Sequence, residues 1–304
     1  MRILVLGAGG IGGYFGGRLV EKGEDVVFLV RTKRKQQLEK NGLVIHSVNG
    51  DFTFAPKLIT KDDNTNPFDI VLFSTKAYHV DEAISDLKPF VNDKTVIIPL
   101  LNGVAHLSQL KKAFGDNKVI GGLCLIETTL NKKEEIVHSS AFDRLVFGEL
   151  EHQETDRMQQ IAGTFSGTKA NFVLSNQIMQ DMWHKYLLIT VMSGVTTLMR
   201  APMGPIRESD GGRDLIRNLF KEATNIMRAC NAPIADNIVE GHMKTIESLS
   251  YDFKTSMQRD MEKGLFIEGE HLQGYLLGLA KQFHIEVPYL KAIHQNLKVY
   301  EEML

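Results

Sequence analysis

Through the first half of the chain, short continuous apolar runs alternate with amphipathic stretches, a pattern that predicts βαβ units building a parallel sheet. Strands are expected at ILVLG near the start, DVVFLVR from Asp25, DIVLFSTK from Asp69, TVIIPLLN from Thr95 and KVIGGLCLIE from Lys118, with helices between them. GLVIHSVNGDFTFAP breaks the pattern. Two alternating runs flank Asn49-Gly50, a dipeptide suited to a tight hairpin turn, so this stretch is expected to be an insertion or an edge ribbon. Short β-like runs return around EEIVHSSAFDRLVFGEL and close with NFVLSN, Asn171 to Asn176. From Gln177 onward the period is helical, in IMQDMWHKYLLITVMSGVTTLM, RDLIRNLFKEATNIMRAC, SMQRDMEKG and EHLQGYLLGLAKQF. The domain boundary is therefore placed at Asn176, which gives an α/β domain over 1–176 and an all-α domain over 177–304. Internal repeats and low-complexity tracts are not evident, and KDDNTNP from Lys61 reads as a mobile loop.

A length of 304 residues exceeds what one compact core usually holds and agrees with two domains. With 43% hydrophobic and 24% charged residues and a formal net charge of -2, nothing calls for a nucleic acid or an anionic membrane as the main partner. A small molecule is the expected ligand, and a homodimer is left open. Cys124 and Cys230 stand far apart, outside any CxxC or Cys/His spacing, which argues against a structural zinc site and fits a reducing compartment with inert buried thiols. The first residues lack a charged segment followed by a cleavage site, and no stretch reaches the apolar length of a membrane span, so a cytoplasmic, unprocessed protein is expected.

Glycine is costly to order, yet Gly7, Gly9, Gly10, Gly12 and Gly13 crowd the opening MRILVLGAGGIGGYFGGRLV. Gly7-Ala8-Gly9-Gly10-Ile11-Gly12 matches GxGxxG, in which the first glycine allows a tight turn, the second admits a pyrophosphate and the third lets helix and strand pack closely. Here the motif follows an apolar strand and opens a helix, whose N-terminal N–H groups favour phosphate. This context predicts a Rossmann-type doubly wound sheet that binds a dinucleotide. The second strand ends in Arg31-Thr32-Lys33-Arg34 rather than in an acidic residue. That cluster suits the 2′-phosphate of NADP(H), or is simply a solvated basic turn.

Lys76 and Asn102 fall at the carboxyl ends of expected strands, where ligands of such sheets bind, although a helix-start lysine and an ordinary Asn-Gly turn read the same way. Lys185 interrupts the apolar DMWHKYLLITVM and must snorkel, pair or exchange a proton; Glu268 stands in apolar GLFIEGEHLQGYL. By pattern alone such residues are more often on a helix surface than catalytic.

Assembled, these residues resemble the ketopantoate reductases (2-dehydropantoate 2-reductases) over essentially the whole chain. The resemblance rests on GAGGIGG at Gly7, Arg31, STKAY around Lys76, LNG around Asn102, WHKYL at Lys185 and TSMQRDMEKGLFIEGEHLQGYL. The last resembles the family's SSMxxD segment, followed by a glutamate and an NG-like turn, here Gln273-Gly274. It implies an NADP-dependent oxidoreductase that reduces 2-dehydropantoate to pantoate in pantothenate and coenzyme A synthesis. It also implies cofactor contacts from Gly7 to Gly12, including Ala8 and Ile11, and from Lys76, Arg31, Asn102 and Glu268. Lys185 would be the proton donor, with Asn102, Ser256, Ile189 and Ser193 at substrate positions.

The chain also departs from that family. Asparagines expected four and eight residues after the lysine, near the following turn and before the serine are replaced by Ile189, Ser193, Met203 and Phe253. Such a pocket is expected to be more apolar, because each lost amide removes hydrogen bonds to a polar substrate. Arg200 is then a candidate carboxylate clamp, and Thr190 and Thr196 are candidate replacements for the lost polar groups. Two alternatives follow: a paralogous reductase of a less polar branched 2-oxo acid, and a non-catalytic NADPH sensor.

Overall fold

The apolar opening run forms the centre of a parallel sheet. The computed structural model describes residues 1–151 and 154–304, and the chain divides into two units: Met1–Leu101 with His106–Met179, and Asn102–Ala105 with Gln180–Leu304. In chain order the elements of the α/β part are β1 (Arg2–Leu6), α1 (Gly10–Lys22), β2 (Asp25–Leu29), α2 (Thr32–Asn41), β3 (Leu43–Ser47), β4 (Phe52–Phe54), β5 (Lys57–Ile59), β6 (Ile70–Phe73), α3 (Val80–Leu87), β7 (Val96–Pro99), α4 (Ala105–Phe114), β8 (Gly121–Leu130), β9 (Ile136–Gly148), α5 (Asp156–Phe165) and β10 (Asn171–Leu174).

The first sheet runs β5-β2-β1-β6-β7, all parallel, with Ile3 opposite both Val26 and Ile70. Ile3, Leu4 and Val5 are fully buried, as an apolar run covered on both faces should be. Strand order reverses between β1 and β6, which makes the carboxyl ends of these two strands the switch point where such sheets bind ligands.

A second sheet, β10-β9-β3-β4 with β8 also paired to β9, was not foreseen from the sequence. The hairpin at Asn49-Gly50 does form, with Leu43 opposite Phe54, but β3 goes on to pair in parallel with β9. The run from Lys118 is corrected in the same way. It gives the first sheet only an isolated parallel bridge between Val119 and Ile97, then continues as β8, antiparallel to β9. Gly122 permits this departure, because a Cβ there would lie 2.4 Å from the Pro99 carbonyl oxygen.

The density of glycine in α1 follows from the two sheets. A Cβ on Gly16 would meet Phe28 and Val5 of the first sheet at 2.8 Å, and one on Gly13 or Gly17 would meet Ile136 or Ile45 of the second at 2.5 Å. The helix is pressed between both, so its close approach uses glycine on two faces.

The second part is helical: α6 (Ile178–Met199), α7 (Met203–Glu208), α8 (Gly212–Ala229), α9 (Ile238–Ser248), α10 (Ser256–Glu262), α11 (Tyr275–Gln282) and α12 (Pro288–Glu302). Every residue from 191 to 197 of α6 is buried, so other helices surround it there. The ends of the shorter helices are tied by side chains. Arg207 caps the end of α9 through the carbonyls of Ile246 (2.9 Å) and Leu249 (3.0 Å), and the buried Glu222 carboxylate accepts from Tyr289 N (3.1 Å) and Leu290 N (2.9 Å) at the start of α12. Among the described residues no helix is long and apolar enough to cross a membrane.

Candidate functional site

At the switch point Gly7 adopts φ +93° and donates its N–H to Leu29 O at 3.1 Å, and a Cβ on it would lie 2.2 Å from Ser74 O. Gly12 is equally constrained, with a Cβ 2.2 Å from Gly7 O. These contacts fold the turn tightly against β6. Gly9 stands at the head of α1 with extended backbone, and a Cβ built there meets nothing within 4 Å. No side chain caps α1 and its first turn, from Gly10 through Ile11 and Gly12, holds no acidic residue, so the partial positive charge of the helix start stands uncompensated beside Ala8 and Gly9.

A cleft of about 780 Å³ runs from this turn along Arg31, Lys33, His79 and Lys133. Arg31, just after β2, donates to Glu82 of α3 and contacts His79 Nδ1 at 3.3 Å; both members of the ion pair are more than half exposed. Such a pair contributes little and leaves the guanidinium exchangeable. Burial and the adjacent guanidinium hold His79 below its ordinary pKa. Lys76 follows β6, half-buried, at the start of the short turn Ala77–His79. Arg34 behaves differently from its neighbours. It donates to Ala8 O and to Glu134 Oε2, each at 2.9 Å, and so ties the glycine turn to the β8–β9 connection that walls the cleft.

In the helical unit Lys185 Nζ donates to Asn102 Oδ1 at 2.9 Å. Asn102 follows β7 and precedes Gly103 at φ +78°, and its own carbonyl accepts from His271 Nε2 at 2.8 Å. Sequence reasoning did not single out His271. Ile189, one turn beyond Lys185 on α6, is half-buried. Ser193 is buried and accepts from Gln273 Nε2 at 3.0 Å. Gln273-Gly274 is not an NG-like turn: both residues are buried and lie in a π-helical turn, Glu270–Gly274, that runs into α11. Met203 has 0% exposure and belongs to the core instead of lining an open pocket, and its N–H donates to Phe253 O at 2.9 Å.

Thr190 and Thr196 are buried as well; Thr196 Oγ1 meets Thr255 Oγ1 at 2.9 Å, where Thr255 caps α10. Ser256 is exposed in the first turn of α10 and Glu268 is half-buried, its carbonyl accepting from Leu272 N at 3.0 Å. Arg200 is exposed at φ +51°, just past α6. Of the expected substrate residues, the structure thus joins Asn102 and Lys185 directly and places Ser193 against Gln273.

A glycine-rich strand–turn–helix at the switch point of a doubly wound sheet, followed by a helical unit in which a lysine donates to an amide, defines a Rossmann-type α/β protein with an all-α second part. Residues 3–152 match the family model "Ketopantoate reductase PanE/ApbA" and residues 177–301 its C-terminal counterpart. The chain therefore belongs to the ketopantoate reductase family of oxidoreductases. It is 46% identical over 301 residues to the "uncharacterized oxidoreductase YkpB" of Bacillus subtilis, covering 99% of each chain. It is 25% identical over 302 residues to a 2-dehydropantoate 2-reductase of Nostoc sp., covering 97% of this chain and 93% of the relative. The crystal structure of 2-dehydropantoate 2-reductase from Geobacter metallireducens superposes with a TM-score of 0.89 at 26% identity, covering 98% and 99% of the two chains.

Proposed function

We propose that this protein reduces a 2-oxo acid at C2 with NADPH, with Lys185 as proton donor. Conversion of 2-dehydropantoate to pantoate, a step of pantothenate and coenzyme A synthesis, is the leading case. When bound, the reduced nicotinamide supplies the hydride. The first unit fits such a cofactor: the open space over Gly9 and the uncapped start of α1 would take the pyrophosphate. Arg31 would hold the 2′-phosphate, a stronger bidentate partner than the Glu82 carboxylate that it would replace. Lys76 and Glu268 are assigned to the cofactor by family resemblance.

The observation that carries the reading is the 2.9 Å hydrogen bond from Lys185 to Asn102. A carbonyl being reduced at C2 develops negative charge on oxygen. The Lys185 ammonium, oriented by the Asn102 amide, would stabilise that oxygen and then protonate it. The Ser256 hydroxyl, exposed at the start of α10, is available to the carboxylate end of a substrate.

A second reading, a less polar branched 2-oxo acid, is favoured by Ile189 one turn from Lys185 and by the engagement of Ser193 with Gln273. Steady-state NADPH oxidation with 2-dehydropantoate, beside 2-oxoisovalerate and other branched 2-oxo acids, separates the two. A kcat/KM advantage of ~10-fold or more for 2-dehydropantoate supports the first reading and the same advantage for a less polar acid the second. Binding of NADPH without turnover of any 2-oxo acid overturns both and indicates a sensor.

A further inference from the structure

We infer that His271 is a positioning residue: its imidazole fixes the backbone at Asn102 so that the side chain of Asn102 holds Lys185. The inference rests on the proposed role of Lys185 and adds the part of the chain that places it. His271 Nε2 lies 2.8 Å from Asn102 O, and because a carbonyl only accepts, this nitrogen carries the proton. The ring also packs on the next residue, for a Cβ on Gly103 would come within 3.4 Å of His271 Nε2. Gly103 sits at φ +78°, where other residues are strained, so the peptide after Asn102 has a set direction with the imidazole against it.

The turn that carries His271 is itself held to the helix that carries Lys185. Tyr186, adjacent to Lys185, donates to Leu272 O at 2.6 Å, and Gln273 Nε2 donates to Thr190 O at 2.8 Å and Ser193 Oγ at 3.0 Å. Three successive residues of a π-helical turn, a feature frequent at functional sites, thus link α6 on one side to the Asn102 backbone on the other. The consequence is geometric. Asn102 Oδ1 meets Lys185 Nζ through two rotatable side-chain bonds, so the position of that oxygen depends on where the Asn102 backbone is held. Anchored at its carbonyl, Asn102 presents its oxygen from a fixed origin, and the ammonium is aimed.

The test compares His271→Leu, His271→Asn and His271→Gln in the full-length protein, alone and with Asn102→Ala, measuring kcat, KM, NADPH Kd and thermal midpoint. Glutamine sets an N–H donor near the reach of the imidazole Nε2; asparagine is too short. With the best 2-oxo acid, the leucine and asparagine variants are expected to lose ~10–100-fold in kcat while NADPH Kd moves less than ~3-fold, and glutamine is expected to restore most of the loss. In the Asn102→Ala background, His271→Leu is expected to cost no more than ~2-fold, since no amide remains to be placed. Undiminished kcat in both the leucine and asparagine variants, or the same loss with and without the Asn102 side chain, overturns the proposal. A Lys185→Ala protein that keeps its turnover would instead remove the reading on which the proposal stands.

Discussion

Arg31 decides between the two nicotinamide cofactors under the proposed function, because a guanidinium at the end of β2 gains from a 2′-phosphate and has no charge partner on a 2′-hydroxyl. Arg31→Ala is expected to raise the Kd of NADPH by ~10–100-fold and that of NADH by less than ~3-fold, as read by titration of cofactor fluorescence. Equal losses would place Arg31 off the 2′-phosphate. At this scale the glycines, Arg31, Lys185 and Asn102 could all be singled out in the sequence, because unusual residue types stood in telling local contexts. Arg34 and His271 could not be separated from their neighbours, since their partners lie 100 and 169 residues away. Spacing along one helix and its following turn points to Ser193 and Met203 without revealing their burial: both are buried in the fold, and Ser193 accepts from Gln273, 80 residues on.

At the scale of elements, periodicity identified the parallel strands and the run of helices, while pairing partners stayed hidden. The Lys118 run has the apolar character of a buried strand, which suits either sheet; where it leaves the first for the second, Gly122 passes against the Pro99 carbonyl and Gly121 against Ile178, where a Cβ would clash. α1 shows the same division. Gly7 and Gly12 follow the phosphate-turn pattern, whereas Gly13 and Gly17 make room for a sheet that local pattern does not reveal. Helix ends are also closed from a distance, as by Glu222 at α12. Glu222→Ala leaves two backbone donors without their acceptor and is expected to cost about 2 kcal/mol in urea unfolding. A change below about 0.5 kcal/mol would show that water replaces the carboxylate at no loss.

For the whole molecule, the helical unit carries a pair of histidines that acid should destabilise. His242 Nε2 meets the His184 carbonyl at 2.9 Å and burial lowers its pKa to about 4, while His184, also lowered by burial, accepts from Ala235 N at 3.0 Å. Each is held neutral, so the unfolded chain binds protons more readily. The stability they contribute is complete above pH 6.5 and is lost as pH falls toward about 4. The thermal midpoint is expected to drop by several degrees across that window, and His242→Gln to flatten the drop; an unchanged slope in the variant would assign the acid sensitivity elsewhere.

The proposed reduction turns on one proton, the one that Lys185 would deliver. Stopped-flow and steady-state measurement of Lys185→Ala, with NADPH and the best 2-oxo acid, is expected to show kcat lowered by ~100–10,000-fold and NADPH Kd within ~3-fold of the parent protein. Turnover that survives the loss of Lys185 would contradict it.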